Sequence, residues 1–179
     1  MRRAALAVAL LPALLAAPAS RAAGDRVSVD TLANAGAWSA FRASGAVGAV
    51  LCGVDSVLDG RRLISVDLHS EGVALRLFDP AWTFAPEAVA DLRAEIGTRS
   101  WEVSASGVGP LLEWRLDGEA ARLLLESFRA GRRLDLAFSG LGPAWRLSLA
   151  GSGAMLAAAR VCAAEGGGAA PPVPGRRWL

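Results

Sequence analysis

The sequence predicts an α+β fold that is mainly antiparallel β-sheet in a sandwich-like arrangement, with two helices in the C-terminal part. Three observations carry this prediction. Apolar and polar residues alternate with the two-residue period of β-strands over most of residues 37–116. Apolar residues recur at helical spacing within residues 118–130, and an alanine-rich run follows the Gly-Ser-Gly at residues 151–153.

The N-terminus is typical of a secretory signal peptide. Arg2 and Arg3 precede an apolar run at residues 4–17, and small residues offer cleavage after Ala19 or Ala22. The apolar run is shorter than the roughly 20 residues that a membrane-spanning helix needs. We therefore expect the leader to be removed during export.

The composition divides the whole chain into three segments. We predict a signal peptide over residues 1–22, a single globular domain over residues 23–164 and a disordered tail over residues 165–179. The tail is rich in glycine and proline, which bury too little apolar surface to offset the entropy of an ordered chain.

The charge balance argues against nucleic acid as a partner. All nineteen basic residues are arginines and three of them lie in the leader, whereas all seventeen acidic residues lie beyond it. The exported chain then has a formal charge of −1. A near-neutral surface provides no electrostatic footprint for nucleic acid or an anionic membrane. We also expect no membrane span after leader removal.

Strand periodicity dominates the first half of the domain. After a turn at residues 59–60, apolar and polar side chains alternate along residues 62–69, so that one face is aliphatic and the other polar. Residues 73–78 continue the alternation until the Asp-Pro at residues 79–80 breaks it, because proline cannot donate a hydrogen bond to a sheet.

Residues 87–96 allow two interpretations. Their composition of Glu, Ala, Leu and Arg favours a helix. Their period is that of a strand, and the turn formers at residues 97–98 lead into a second alternating stretch. We favour a β-hairpin and keep the helix as the alternative.

The next elements alternate between strand and helix. Residues 112–116 predict a strand, and Asp117 is a candidate N-cap for a helix over residues 118–130. Gly131 is expected to end that helix in the left-handed conformation.

The last elements complete the domain. Residues 134–138 and 145–149 predict strands, and Gly151 turns the chain into a helix over residues 154–161. Ser152 is expected to cap that helix.

The only two cysteines are Cys52 and Cys162. Export takes both into an oxidising compartment, where an even number of cysteines favours a disulfide. Two distant cysteines and one histidine supply too few ligands for a metal site. We expect a Cys52–Cys162 bond and no cofactor.

Catalytic side chains are scarce. The chain has no lysine and no tyrosine, and its one histidine is His69. His69 and Asp67 lie two residues apart on a predicted strand and therefore share a face, so they are weak candidates for an acid/base pair in a hydrolase. No Gly-x-Ser-x-Gly motif presents a nucleophile. The simpler interpretation is a solvated surface histidine.

Four of the six tryptophans divide into two groups. Trp101, Trp114 and Trp145 are in phase with the aliphatic residues of their strands, which predicts core positions. Trp82 and Phe84 instead lie in the proline-bounded segment DPAWTFAP. This segment is a candidate recognition loop, through which the protein could inhibit an enzyme, or else a plug over the core.

The segments LLLESFRAGRRLDLAF and WRLSLAGSGAMLAAA, within residues 118–162, resemble the C-terminal half of the invasion-associated locus B family of small exported bacterial proteins. In that family a helix ends in a basic-glycine turn, a strand follows, and a strand ending in glycine leads into an alanine-rich helix. The matching residues are Leu124, Gly131, Leu134, Leu136, Phe138, Leu147, Leu149, Gly151, Ala154 and Ala158. The resemblance implies a periplasmic, β-rich, non-enzymatic domain, and it carries over no catalytic residue.

Together these observations predict an exported periplasmic or secreted protein with no enzymatic activity. Its expected role is binding or accessory, in the envelope or in host interaction, with another protein of the envelope or exterior as its partner. The hydrolase and the enzyme inhibitor remain the alternatives.

Overall fold

The computed structural model describes residues 27–45 and 49–166, which form ten β-strands and two α-helices. The mainly antiparallel α+β class and the C-terminal position of both helices are confirmed. The elements are β1 (Ser28–Ala35), β2 (Trp38–Ser44), β3 (Val50–Leu58), β4 (Arg62–Leu68), β5 (Gly72–Phe78), β6 (Phe84–Ile96), β7 (Arg99–Gly109), β8 (Leu111–Asp117), α1 (Gly118–Ala130), β9 (Arg133–Phe138), β10 (Trp145–Ser148) and α2 (Ser152–Glu165).

All ten strands join in one antiparallel sheet of order β1-β2-β3-β4-β5-β8-β7-β6-β9-β10. The sheet curls around a single main core, and both helices pack on its inner face. Helix α2 covers β1, β2 and β3, and α1 lies against β5 and β8. We call the opposite surface of the sheet the outer face.

The curl brings distant parts of the sheet together. The indole N–H of Trp38, on β2, donates a hydrogen bond of 2.8 Å to the carbonyl of Ser148, at the end of β10. Of the three tryptophans predicted for core positions, Trp114 and Trp145 are buried, and Trp101 is partly buried against the core. The core therefore spans nearly the whole described chain.

Residues 87–96 are strand, as the two-residue period indicated. They belong to β6, which pairs with β7 on one side and β9 on the other. A bulge between Phe84 and Ala88 shifts the register, and Glu87 within it has a left-handed φ of 65°. Period outweighed helix propensity here because alternate side chains, such as Leu92, enter the core.

The predicted conformation of Gly131, at the end of α1, was wrong. Gly131 has φ −75° and ψ 161°, so it is extended and not left-handed. A Cβ at this position would lie 2.4 Å from Cγ2 of Ile96 and 2.6 Å from the carbonyl oxygen of Ser127. Glycine is required there for close packing. Asp117 is the N-cap residue of α1, as predicted, but its side chain makes no capping hydrogen bond.

Ser152 does not cap α2; the N-cap is Gly151. The Ser152 hydroxyl donates a hydrogen bond that the carbonyl oxygens of Phe128 and Leu149 share, at 2.6 Å and 2.8 Å from its oxygen. It thus ties the end of α1 to the segment after β10. A long-range contact replaced the local cap because the serine is fully buried.

The predicted disulfide joins Cys52, on β3, to Cys162, on α2, with Cα atoms 6.0 Å apart. Helix α2 extends to Glu165, one residue beyond the predicted domain end. The predicted signal peptide and residues 167–179 of the predicted tail lie outside the described residues. Neither described helix has the length and apolar composition that a membrane crossing requires.

Reducing the disulfide should lower the free energy of unfolding by about 4 to 5 kcal/mol, because the bond closes a long loop in the unfolded chain. The two cysteines are 110 residues apart. Denaturant titration with and without reductant measures the effect. The Cys52→Ala/Cys162→Ala variant is the control and should not respond to reductant. Equal midpoints for the oxidised and reduced protein would contradict the prediction.

Gly151→Ala should destabilise the fold more than Gly60→Ala. Both glycines have left-handed φ, 94° and 73°, so both substitutions carry a backbone cost of about 1 to 2 kcal/mol. Only at Gly151 would the new Cβ also collide, at 2.2 Å from the Ala35 carbonyl oxygen, whereas Gly60 has nothing within 4 Å. We expect an additional loss of about 2 kcal/mol in thermal or denaturant unfolding. Equal losses of stability for the two variants would contradict this prediction, because the β1–β2 hairpin would then move away from the new Cβ without a cost in free energy.

Candidate functional site

The outer face of the sheet carries a chain of four charged side chains. Asp67 on β4, Arg76 on β5, and Glu113 and Arg115 on β8 form what we call the charged chain. Arg76 pairs with Asp67 through Nη1 and Oδ2, and its Nε lies 2.7 Å from Oε2 of Glu113. The Nε of Arg115 lies 2.6 Å from Oε1 of the same glutamate.

Burial makes the charged chain unusual for the solvent-facing phase of a sheet. Asp67 is 0% exposed and Arg76 is 7% exposed, whereas the side chain of Arg115 is half exposed. Burial alone would raise the pKa of the Glu113 carboxyl, but hydrogen bonds from Arg76 and Arg115 outweigh burial and lower that pKa. The Glu113 carboxyl is therefore ionised at neutral pH and carries the charge that balances the two arginines beside it.

His69 and Asp67, the predicted acid/base pair, are close but do not hydrogen-bond to each other within the described part of the chain. Asp67 is engaged by Arg76. His69 is half-buried, not the solvated residue that the alternation suggested. Burial lowers its pKa, and the nearby Asp67 charge only partly opposes this. The ring is thus neutral at pH 7 without a carboxylate to orient it.

A small cleft of about 80 Å³ lies beside His69. It is bounded by Ser70 after β4, by Cys52 and by the C-terminal end of α2 near Gly166. Among the described residues, no serine hydroxyl hydrogen-bonds to the histidine ring. The cleft therefore does not assemble the nucleophile that the hydrolase hypothesis needs.

Trp82 is a core residue, not an exposed recognition residue. It is 8% exposed and stacks on Trp145 with ring centroids 5.3 Å apart and planes 6° from parallel. Its indole N–H lies 3.3 Å from the Leu141 carbonyl, to which it donates. Phe84 packs 5.6 Å from Trp82, centroid to centroid. Of the two interpretations of this segment, the structure matches the plug over the core. The aromatic rings of β9 and β10 provide the site on which Trp82 stacks.

A second feature of the outer face is a row of apolar side chains, one from each of five adjacent strands. Each is the direct register partner of the next. In spatial order the apolar row is Val57, Leu63, Phe78, Leu111 and Val108. None of the five belongs to either core cluster.

The apolar row is open to solvent. Its end residues Val57 and Val108 are 57% and 55% exposed, and its middle residues are partly exposed. An apolar strip that crosses five strands is unlike the scattered single apolar residues of an ordinary surface. It is the type of surface that a protein partner covers.

Opposite charges stand at the two ends of the row. Arg61 lies in the turn between β3 and β4, where its charge helps to lower the pKa of the Asp59 carboxyl, and Glu87 lies in the β6 bulge, on the side of Val108. An open groove of about 440 Å³ begins at the Glu87 end and includes Val108, Leu111 and Glu113.

Comparisons with protein-family models, with curated proteins and with solved structures found no match for this chain.

Sequence reasoning missed the charged chain and the apolar row. A usable signal existed, since Leu63 and Phe78 are apolar residues in the polar phase of their strands. Their alignment into one row depends on strand register, which the sequence does not state.

Arg76→Ala should lower the free energy of unfolding by about 3 to 5 kcal/mol, because it removes a buried cation from between two carboxylates. Arg115→Ala is the matched control. It removes the other arginine that bonds Glu113, but from an exposed position, so the loss should be about 1 kcal/mol or less. Urea unfolding of both variants measures the difference. Equal losses of unfolding free energy for the two variants would contradict this prediction, because burial of Arg76 would then make no difference to its contribution.

Proposed function

We propose that the protein is an exported, non-catalytic binding or accessory protein that works by contact with another protein, in the envelope or in host interaction. The observation that carries this proposal is the apolar row. An exposed apolar strip on the outside of a sheet suits a protein surface, whereas small molecules favour concave sites that enclose most of the ligand.

Export is supported by two independent features. The N-terminal sequence has the charged, apolar and small-residue regions of a signal peptide. The Cys52–Cys162 disulfide is the kind of bond that persists in oxidising compartments. The resemblance of residues 118–162 to the invasion-associated locus B family supports a place in the bacterial envelope.

The two alternative functions receive less support. The hydrolase would use His69 with Asp67, but Asp67 is held by Arg76. The enzyme inhibitor would act through Trp82, but the indole is stacked inside the core. The apolar row has no such internal partner among the described residues, so it is the surface on which the proposal rests.

A photo-crosslinking residue placed at Val108 tests this function in the living producer cell. We expect a crosslinked adduct with a polypeptide. The matched control is the same residue at Val161, which is 59% exposed but lies on α2, away from the row. Equal yields of adduct from the two positions, or none from either, would contradict the proposal.

A further inference from the structure

We infer that the protein that covers the apolar row inserts an arginine side chain into the groove at the Val108 end of the row, where Glu87 pairs with its guanidinium. This inference rests on the proposed function and names the chemistry by which the same surface recognises its partner. Three features carry it: the β6 bulge that presents Glu87, the apolar residues around that carboxylate, and the ion pairs that Glu113 already makes.

The bulge in β6 presents Glu87 at the groove. The register shifts between Phe84 and Ala88, so that residues 85–87 stand against Val108 alone. Glu87 has a φ of 65°, which is uncommon for a residue with a side chain. Bulges of this kind bend the strand and re-aim a side chain. Glu87 accordingly lines the same groove as Val108.

Apolar side chains accompany this carboxylate. Val108 and Leu111 line the groove with it, and Val89, two residues after Glu87, is 68% exposed. A partner that covers these side chains also removes water from around Glu87. A carboxylate that loses its water costs free energy unless a cation pairs with it. The occupant of the groove is therefore cationic.

The cation does not come from the described part of this chain. Glu87 forms no ion pair within residues 27–45 and 49–166. Glu113, the other acid of the groove, is engaged at both of its oxygens. Nε of Arg76 lies 2.7 Å from Oε2, and Nε of Arg115 lies 2.6 Å from Oε1. Glu87 is thus the carboxylate for which the partner supplies the charge.

Arginine fits this groove better than lysine. A guanidinium donates two parallel hydrogen bonds to the two oxygens of one carboxylate, and it is less strongly hydrated than an ammonium. Its aliphatic stem can lie along Val108 and Leu111. Arginine is also enriched among the few residues that carry most of the binding energy of an interface. The groove therefore receives the arginine, and the apolar row receives the apolar surface around it.

Peptide titration tests the groove on the purified protein. The probes are acetylated and amidated Leu-Arg-Leu and the same peptide with citrulline, which is neutral and nearly the same shape as arginine. We expect the arginine peptide to shift the methyl resonances of Val108 and Leu111 in NMR spectra. The citrulline peptide should bind about fivefold more weakly, because it lacks the charge that pairs with Glu87. The lysine peptide should also bind more weakly than the arginine peptide.

Two variants separate the charge of Glu87 from its place in the fold. Glu87→Gln should weaken binding of the arginine peptide about fivefold, to the level of the citrulline peptide. Glu87→Gly should do the same without lowering Tm, because glycine adopts the left-handed conformation freely. Glu102→Gln is the matched control. Glu102 lies on the same face of β7 as Val108 but pairs with Arg93, so its loss should not change the affinity.

The outcomes separate this inference from the proposed function. Equal binding of the arginine and citrulline peptides, no binding of either, or an unchanged affinity in Glu87→Gln overturns the arginine in the groove. A lysine peptide that binds as tightly as the arginine peptide overturns the choice of arginine. In the producer cell, Glu87→Gln should lower the yield of the Val108 adduct about fivefold. An undiminished yield overturns this inference and retains the binding function, whereas the absence of any adduct without the substitution overturns both.

Discussion

Helix α2 is held at both ends, and the closed shape of the core depends on these two attachments. At its start, the Gly151 backbone lies directly against the Ala35 carbonyl of the β1–β2 hairpin, so closely that a Cβ would stand 2.2 Å from that oxygen. At its end, the disulfide fixes Cys162 to β3. These two attachments hold the helix against β1, β2 and β3 on the inner face of the sheet.

The outer face of the sheet carries both the charged chain and the apolar row. That face is divided by the charged chain, with the small cluster of Phe41, Ala43 and Leu51 at one side and the apolar row at the other. A buried chain of charges stabilises little by itself, because desolvation offsets most of the attraction. It does fix the positions of Arg76 and its carboxylates between the buried cluster and the apolar row.

The sequence was sufficient for most of the fold because alternation directly records which side chains enter the core. It was insufficient for β1, because most of its residues are exposed and only two alanines near its end pack against the core. It misassigned Gly131 and Ser152 because local capping preferences compete with long-range contacts that only the assembled chain provides. The apolar row was beyond its reach, since five separate strands contribute one residue each and only register brings them together.

The attachment of α2 also sets an order of events during biogenesis. A chain is synthesised and begins to fold from its N-terminal side, so Cys52 emerges long before Cys162, which lies 110 residues later. During that interval Cys52 is a lone thiol, and β1 to β3 lack the helix that covers them. The Cys52–Cys162 bond can therefore form only after nearly all of the sheet has been synthesised, when α2 is available to pack on it.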